Sequence, residues 1–277
     1  MGSRRFLVLV LPLLLAGCTT FAGGRATPAT VVPTTPGVPR PGTGVGPYRS
    51  GDCLELPADD GEITKVGCDR PHEYEVMTSA SFTPDVPATY PPDVKRLARP
   101  ACRTALPAYL GSPDADASTL ETFALWPKER DWSAGARWYA CLVTARGGDN
   151  KPVKQPGALA GVLARGLGRF QECRAGEPLK ESPVHVVPCT GTHRSEALPG
   201  VRVLGPATDP PVDLNGPEVP KAIADCERKA IAYLGGRRPG TTSTVILPIP
   251  QDWPTGETTA VCWVISEQPV PGPLGRG

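Results

Sequence analysis

The cysteines of this 277-residue chain divide into one single residue and two sets of four. The single residue, Cys18, follows the small residues Ala16 and Gly17. The members of the first set recur in the second at offsets of 120, 121, 124 and 121. The two sets are Cys53, Cys68, Cys102 and Cys141, and then Cys173, Cys189, Cys226 and Cys262. This spacing predicts two copies of one disulfide-containing module in an oxidising compartment.

The N-terminus has the pattern of a bacterial export signal. Arg4 and Arg5 precede an apolar run at 6–15, which is shorter than the roughly 20 residues that a membrane-spanning helix needs. The sequence ending in Cys18 resembles the motif at which lipoproteins are diacylated and cleaved. We therefore expect a lipid on Cys18 that holds the protein at the extracytoplasmic face of the cell membrane. The alternative is an ordinary secretory signal with an incidental cysteine.

Composition and the cysteine sets together predict the domain boundaries. The stretch before the first module is rich in Thr, Pro and Gly and has few large apolar residues, which predicts a disordered tether. The segment between the modules is expected to act as a linker containing one short helix, at 158–167. The predicted parts are a signal peptide at 1–17, the tether at 18–47, module one at 48–146, the linker at 147–168, module two at 169–266 and a disordered tail at 267–277.

The neighbours of the cysteines repeat along with them. The pattern C-x3-H-x2-E occurs from Cys68 and again from Cys189. The tripeptide Tyr-Leu-Gly begins at Tyr109 and again at Tyr233. A dipeptide Asp-Trp precedes the last cysteine of each set at a constant offset of 121. Such agreement in order and spacing indicates a tandem duplication.

The apolar pattern predicts an α+β fold for each module. Residues 94–109 and 219–234 follow helical spacing, and the second stretch is stopped by Gly235. Short apolar segments on both sides read as strands. We therefore expect each module to be a small antiparallel sheet with one main helix packed on it. The predicted strands are 73–82, 122–126 and 138–144 in module one, and 195–204, 244–249 and 260–265 in module two.

Four cysteines in each module permit three disulfide connectivities. We favour the pairing in which the first bond joins a short pair of strands and the second attaches the helix to the last strand. The favoured bonds are Cys53–Cys68 and Cys102–Cys141 in module one, and Cys173–Cys189 and Cys226–Cys262 in module two.

The one repeated pair of ionisable residues is His72 with Glu75, matched by His193 with Glu196. Residues three apart in a strand point to opposite faces, whereas at a turn they can converge. One interpretation is a binding or acid–base site, because histidine titrates near neutral pH and a carboxylate can orient it. The other is a histidine that bonds to the backbone beside a disulfide, with the glutamate exposed.

The sequence gives little support for metal binding, nucleophilic catalysis or redox chemistry. The chain has no paired metal-ligand spacing, no G-x-S-x-G or H-E-x-x-H motif and no C-x-x-C redox motif. We therefore expect no metal, no cofactor and no catalysis. A net charge of +1 without a basic block also argues against a nucleic-acid partner. Trp132 and Trp253 are candidate binding residues, although a packed tryptophan is the commoner case.

Module one resembles the septum-formation-related domain found in envelope proteins and lipoproteins of high-GC Gram-positive bacteria. The resemblance rests on Gly51-Asp52-Cys53-Leu54, Val66-Gly67-Cys68 and Pro71-His72-Glu73, and it includes Cys102, Trp132 and Cys141. Module two departs from the pattern, with Gln171-Glu172-Cys173 at its start and Thr192 before the histidine. The resemblance implies a role near cell division and supplies no catalytic residues.

Three functions fit these observations. The first is a non-catalytic, lipid-anchored envelope protein whose modules bind a protein or a cell-wall component. The second is an envelope hydrolase that uses His72 with Glu75, or His193 with Glu196. The third is a structural spacer that binds nothing specific.

Overall fold

The computed structural model describes residues 46–57 and 62–275. The predicted signal peptide, Cys18 and nearly all of the predicted tether lie outside the described residues. Among the helices of the described part, none is both long and apolar enough to cross a membrane.

Module one is an antiparallel sheet with one long helix against it. Its strands are β1 (Cys53–Glu55), β2 (Thr64–Val66), β3 (Tyr74–Ser81), β4 (Leu120–Leu125), β5 (Trp138–Arg146) and β6 (Pro152–Val153). They lie in the order β2-β1-β3-β5-β4, and β6 pairs with the end of β5. Helix α1 (Val94–Leu110) connects β3 to β4 and packs mainly on β4 and β5. A 3-10 helix (Pro113–Ala117) follows α1, and the short helix α2 (Glu129–Ser133) precedes β5.

Module two repeats this arrangement. Its strands are β7 (Cys173–Arg174), β8 (Val186–Val187), β9 (Thr192–Ala197), β10 (Arg202–Val203), β11 (Thr241–Ile246) and β12 (Thr259–Pro271). The order β8-β7-β9-β12-β11 matches that of module one, and β10 also pairs with β12. Helix α3 (Glu218–Leu234) connects β10 to β11, and 3-10 helices occupy Gly168–Phe170 and Trp253–Thr255. The prediction of two similar α+β modules is confirmed.

Both long helices form for the same local reasons. The buried residues of α1 include Ala98, Cys102 and Leu106, which recur every four positions and so place one face against the sheet. Each helix ends at a glycine in the left-handed conformation, Gly111 with φ 77° and Gly235 with φ 73°. Glycine adopts that conformation without a steric penalty, so the chain can turn sharply into the next segment.

Each module contains two disulfides, and they join the pairs that the sequence favours. Cys53–Cys68 and Cys173–Cys189 link the first strand of each sheet to the segment before the histidine. Cys102–Cys141 and Cys226–Cys262 attach the long helix to β5 and to β12.

The segment between the modules is packed into the structure. The prediction of a short helix at 158–167 is wrong, because residues 160–165 form turns. Gly161 and Gly166 have φ of 69° and 105°, which a right-handed helix does not contain. The leucines of the segment are nevertheless buried, and one apolar cluster joins them to residues of both modules. The members that show this are Leu159, Leu163 and Leu167 with Leu106, Val261 and Trp263.

The ends of both modules also extend beyond their predicted boundaries. Residues 152–159 follow the predicted end of module one, yet they complete its sheet and its core. The predicted boundary at 266 is likewise wrong, since β12 continues to Pro271 and Leu274 is buried. The two returning segments are 152–159 in module one and 267–274 in module two. Each lies against the histidine and the glutamate of its own module.

Candidate functional site

The first strand and the central strand of each module bring a histidine, a glutamate and a disulfide together. In module one β1 pairs with β3 so that Cys53 lies opposite Glu75, and in module two β7 pairs with β9 so that Cys173 lies opposite Glu196. His72 precedes β3, from which it is separated by a bend at Glu73. Side chains alternate between the two faces of a strand, but the bend removes His72 from this alternation, so its side chain can approach Glu75.

Both histidine rings have the same orientation. Nδ1 of His72 lies 2.9 Å from the carbonyl oxygen of Arg70, and Nδ1 of His193 lies 2.8 Å from that of Gly191. A carbonyl only accepts a hydrogen bond, so each Nδ1 carries the proton. Each Nε2 therefore points toward its glutamate.

The two modules differ in the distance between histidine and glutamate. Nε2 of His193 lies 2.7 Å from Oε1 of Glu196, whereas Nε2 of His72 lies 4.0 Å from Oε2 of Glu75. With Glu196 ionised, this contact makes His193 a donor at both nitrogens, which is the imidazolium form. Among the described residues, Nε2 of His72 has no hydrogen-bond partner. Module two thus holds a hydrogen-bonded ion pair where module one holds two groups that do not touch.

The pKa values in module two follow from these contacts. Burial alone would lower the pKa of His193, but its bonds with Glu196 and Gly191 and the charge of Glu196 raise it above the ordinary 6.5. Burial alone would raise the pKa of Glu196, but bonds from His193, Tyr233 and Leu274 hold it below the ordinary 4.5. Both shifts favour the charged pair.

A tyrosine from the long helix completes each group. The hydroxyl of Tyr109 donates to Oε1 of Glu75, and the hydroxyl of Tyr233 donates to Oε2 of Glu196 at 2.7 Å. Burial and the adjacent carboxylate raise the pKa of both tyrosines, so both remain protonated donors. Sequence reasoning missed these residues, although the repeated Tyr-Leu-Gly was the signal that could have identified them.

The returning segments supply the last donors and close the groups from outside. The backbone N–H of Leu159 donates to Oε2 of Glu75 at 2.5 Å, and that of Leu274 donates to Oε1 of Glu196 at 2.6 Å. Gln155 exchanges backbone hydrogen bonds with His72 at 3.1 and 2.8 Å. The two histidines and the two glutamates are at most 1% exposed, so their side chains are shielded from solvent in this structure.

Metal binding by these groups is chemically unfavourable. Donor atoms of Cys53, His72 and Glu75 lie within 4.8 Å of one another, as do those of Cys173, His193 and Glu196. Each sulfur, however, belongs to a disulfide and supplies no thiolate, which is the form that ligates metals. In module two the remaining histidine and glutamate are already hydrogen-bonded to each other.

The two candidate tryptophans lie in the interior of the protein. Trp132 is 0% exposed and Trp253 is 1% exposed. Nε1 of Trp132 donates to the carbonyl oxygens of Pro87 and Ala88 at 3.3 and 3.2 Å, and the guanidinium of Arg137 lies 4.3 Å from its ring centre. Neither indole face is presented to a ligand in this arrangement.

A charged cleft of about 270 Å³ lies between the modules. Arg103 bonds Asp116 at 2.6 Å within module one and Glu257 of module two at 2.9 Å. Arg146 reaches Glu172 of module two at 2.9 Å. Because these opposite charges pair with each other, the cleft mainly joins the modules and offers little unpaired charge to a ligand.

A family model described as septum formation matches residues 50–264. The chain belongs to the septum-formation family. One match covers both modules together with the packed segment between them, so the family pattern is not confined to module one. Neither a curated protein nor a solved structure matches the chain.

Proposed function

We propose that this member of the septum-formation family is a non-catalytic, lipid-anchored protein of the extracytoplasmic face, whose modules bind a protein or a cell-wall component. The family membership supports a role in septum formation. The export signal and Cys18 support the anchor. We expect the membrane to be reached through the lipid alone, with no nucleic-acid partner.

One observation carries the non-catalytic part of the proposal. The repeated His-Glu groups, which most resemble acid–base catalysts in the sequence, are enclosed. In module two, His193 and Glu196 are hydrogen-bonded to each other, to Tyr233 and to the backbone, and in module one Glu75 is bonded by Tyr109 and by the backbone of Leu159. Buried polar groups that are fully bonded in this way fix a unique packing. What each module offers to a partner is therefore its outer surface, held on a frame of disulfides and internal bonds.

The hydrolase alternative has one observation in its favour, and it concerns module one alone. Nε2 of His72 is free of hydrogen bonds to described residues and lies 4.0 Å from Glu75, a gap that an opening of residues 155–159 would expose. Glu75→Gln preserves the shape of the side chain and removes the carboxylate. We expect the variant to release no less soluble material from purified cell wall than the parent protein does, whereas a hydrolase would lose its activity.

The binding function is tested by photo-crosslinking in cells from exposed positions on both modules. Suitable positions are 42% to 67% exposed, so a photoreactive residue there leaves the core intact; they are Leu97, Leu179, Val203 and Ile223. We expect at least one position to give a single reproducible adduct. Deleting a module is a poor test, because the apolar cluster that both modules share would be cut open.

Two further outcomes decide between the remaining possibilities. Cys18→Ser should transfer the protein from the membrane fraction to the soluble fraction, and an unchanged membrane fraction would contradict the lipid anchor. A complete lack of adducts from all four positions, with the protein present at normal levels, would favour the structural spacer.

A further inference from the structure

A groove runs between the long helix and the strand that follows it at the edge of the sheet in both modules. The groove of module one has a volume of about 400 Å³ and lies between α1 and β4. The groove of module two has a volume of about 380 Å³ and lies between α3 and β11. Each is bounded by the helix that a disulfide attaches to the neighbouring strand. The groove of module one lies along the first half of α1, and the groove of module two lies along the second half of α3.

Each groove is bordered by a sheet edge that no described strand pairs with. In module one the first half of that edge strand, at 120–122, also lines the cleft between the modules. Among the described residues, β4 pairs with β5 alone and β11 pairs with β12 alone. Both strands contain six residues, whereas the opposite edges, β2 and β8, contain three and two. Half of the backbone N–H and C=O groups of an edge strand point away from the sheet and remain available to a further strand.

These two edges lack the features that usually prevent pairing with another chain. Proteins protect edge strands with lysine, proline or a bulge. The sequence of β4 contains neither lysine nor proline and has Glu121 as its single charge, and β11 has no charge at all. Phe123 in β4 is 39% exposed, and Thr242 in β11 is also exposed.

The charge of the grooves indicates the chemistry of an occupant. Two basic side chains and one carboxylate line each groove: Lys95, Arg99 and Glu121 in module one, and Arg237, Arg238 and Glu227 in module two. Arg99 is already paired with Glu257 at 2.9 Å, and Arg237 is already paired with Glu227 at 2.9 Å. Among the described residues, Lys95 and Arg238 have no carboxylate within ion-pair distance, so each groove retains one unpaired cation. An acidic segment would therefore gain charge complementarity in either groove, whereas a basic one would be repelled.

We propose that each groove binds an extended, acidic segment of a partner protein, which adds to β4 or β11 as an extra antiparallel or parallel strand. Backbone hydrogen bonds along the free edge supply the affinity, and the basic residues at the rim select the charge. This proposal rests on the binding function proposed above and names the class of partner that it would recognise.

The test uses the full chain and three synthetic peptides with blocked ends. The first is an octapeptide of alternating Val and Thr with Glu at both ends, the second carries Lys in place of Glu, and the third carries Pro at two central positions. Amide hydrogen exchange followed by NMR gives one readout for each residue of β4 and β11. We expect saturable protection of both strands by the first peptide, and at least fivefold weaker binding of the other two.

A charge reversal in one groove provides an internal control. Lys95→Glu should weaken the peptide's protection of β4 about fivefold, which corresponds to roughly 1 kcal/mol, and should leave β11 unchanged. Lys151→Glu is the matched control, because Lys151 is exposed in the loop between β5 and β6 and lies outside the residues that line either groove. Equal effects of the two variants would overturn the role of charge.

Three results would overturn the strand-addition proposal. The first is an absence of protection at both edges up to about 1 mM peptide. The second is equal binding of the proline peptide. The third is protection of β4 or β11 that rises with protein concentration alone, which would identify a second copy of the chain as the occupant. If crosslinks from Leu179 or Val203 persist while the peptides fail, the binding function stands and this inference alone is lost.

Discussion

Nε2 of His193 lies 2.7 Å from Oε1 of Glu196, inside a module from which solvent is excluded at both residues. The matching atoms of His72 and Glu75 lie 4.0 Å apart. Two groups with the same sequence pattern and the same kinds of tyrosine and backbone donors therefore differ in whether a direct hydrogen bond forms. Module two therefore contains a buried charged pair whose contribution to stability can be measured as a function of pH.

The stability that the pair of His193 and Glu196 contributes should decrease both at high pH and at low pH. The pKa of His193 is raised, so its contribution is complete below 6.5 and is lost as the pH rises through the raised value. The pKa of Glu196 is lowered, so its contribution is complete above 4.5 and is lost as the pH falls through the lowered value. Urea unfolding at a series of pH values should show the largest contribution of this pair between pH 4.5 and pH 6.5.

The variant His193→Gln tests that assignment. It removes the titrating group, so the loss of unfolding free energy above neutral pH should become smaller than in the parent protein. His72→Gln is the matched variant, since His72 is equally buried but makes no direct bond to its glutamate. If both variants alter the pH profile to the same extent, the 2.7 Å contact does not explain it.

The tyrosine donors should be important for stability. Tyr233→Phe leaves Oε2 of Glu196 without the hydroxyl that bonds it at 2.7 Å, and we expect a loss of about 1–3 kcal/mol in the free energy of unfolding. Tyr109→Phe should lower the free energy of unfolding by a similar amount, because it removes the hydroxyl that donates to Glu75. Tyr139→Phe is the control, because its hydroxyl bonds no described residue, and it should change the stability by less than about 0.5 kcal/mol.

The disulfides should contribute according to the length of chain that they close. Cys102–Cys141 spans 39 residues and Cys53–Cys68 spans 15. On the chain-entropy argument, replacing the longer pair with alanines should cost about 4 kcal/mol and replacing the shorter pair about 3 kcal/mol. Peptide mapping without reduction checks the pairing itself, and a peptide linking Cys68 to Cys102 would contradict it.

The two modules should unfold together. Leu163 lies in the predicted linker but is 1% exposed within the apolar cluster that both modules share. Leu163→Ala should therefore cost about 2–5 kcal/mol and lower a single transition in which signals from both modules coincide. The control Leu179→Ala, at a position 67% exposed, should have little effect. Two separate transitions would show that the shared core does not couple the modules.

Local signals in the sequence were sufficient for much of the fold. The recurrence of the cysteines predicted the modules, and the spacing of apolar residues with Gly235 predicted the extent of α3. The helix depends on residues within a few turns of one another, which is the range over which periodicity is informative. The modules were recognised by comparing the chain with itself, which needs no knowledge of tertiary contacts.

Long-range contacts account for what the sequence did not predict. The position of His72 relative to Glu75 depends on its backbone bonds to Gln155, more than 80 residues away from His72 along the chain. Spacing of four residues in Leu159, Leu163 and Leu167 suggested a helix, yet the glycines between them impose turns while the same leucines still reach the core. The tyrosines come from helices whose packing angle no local pattern specifies.

The continuous core also has a consequence for avidity. Because leucines of the intervening segment join both modules into one apolar cluster, the two helix–strand grooves are held at a constant separation. A partner with two acidic strands at the matching spacing would engage the second groove at a high effective concentration once the first is filled. A partner with a different spacing would gain nothing from the second groove. By fixing the distance between the two grooves, the buried leucines would determine which partners can bind with both of their strands at once.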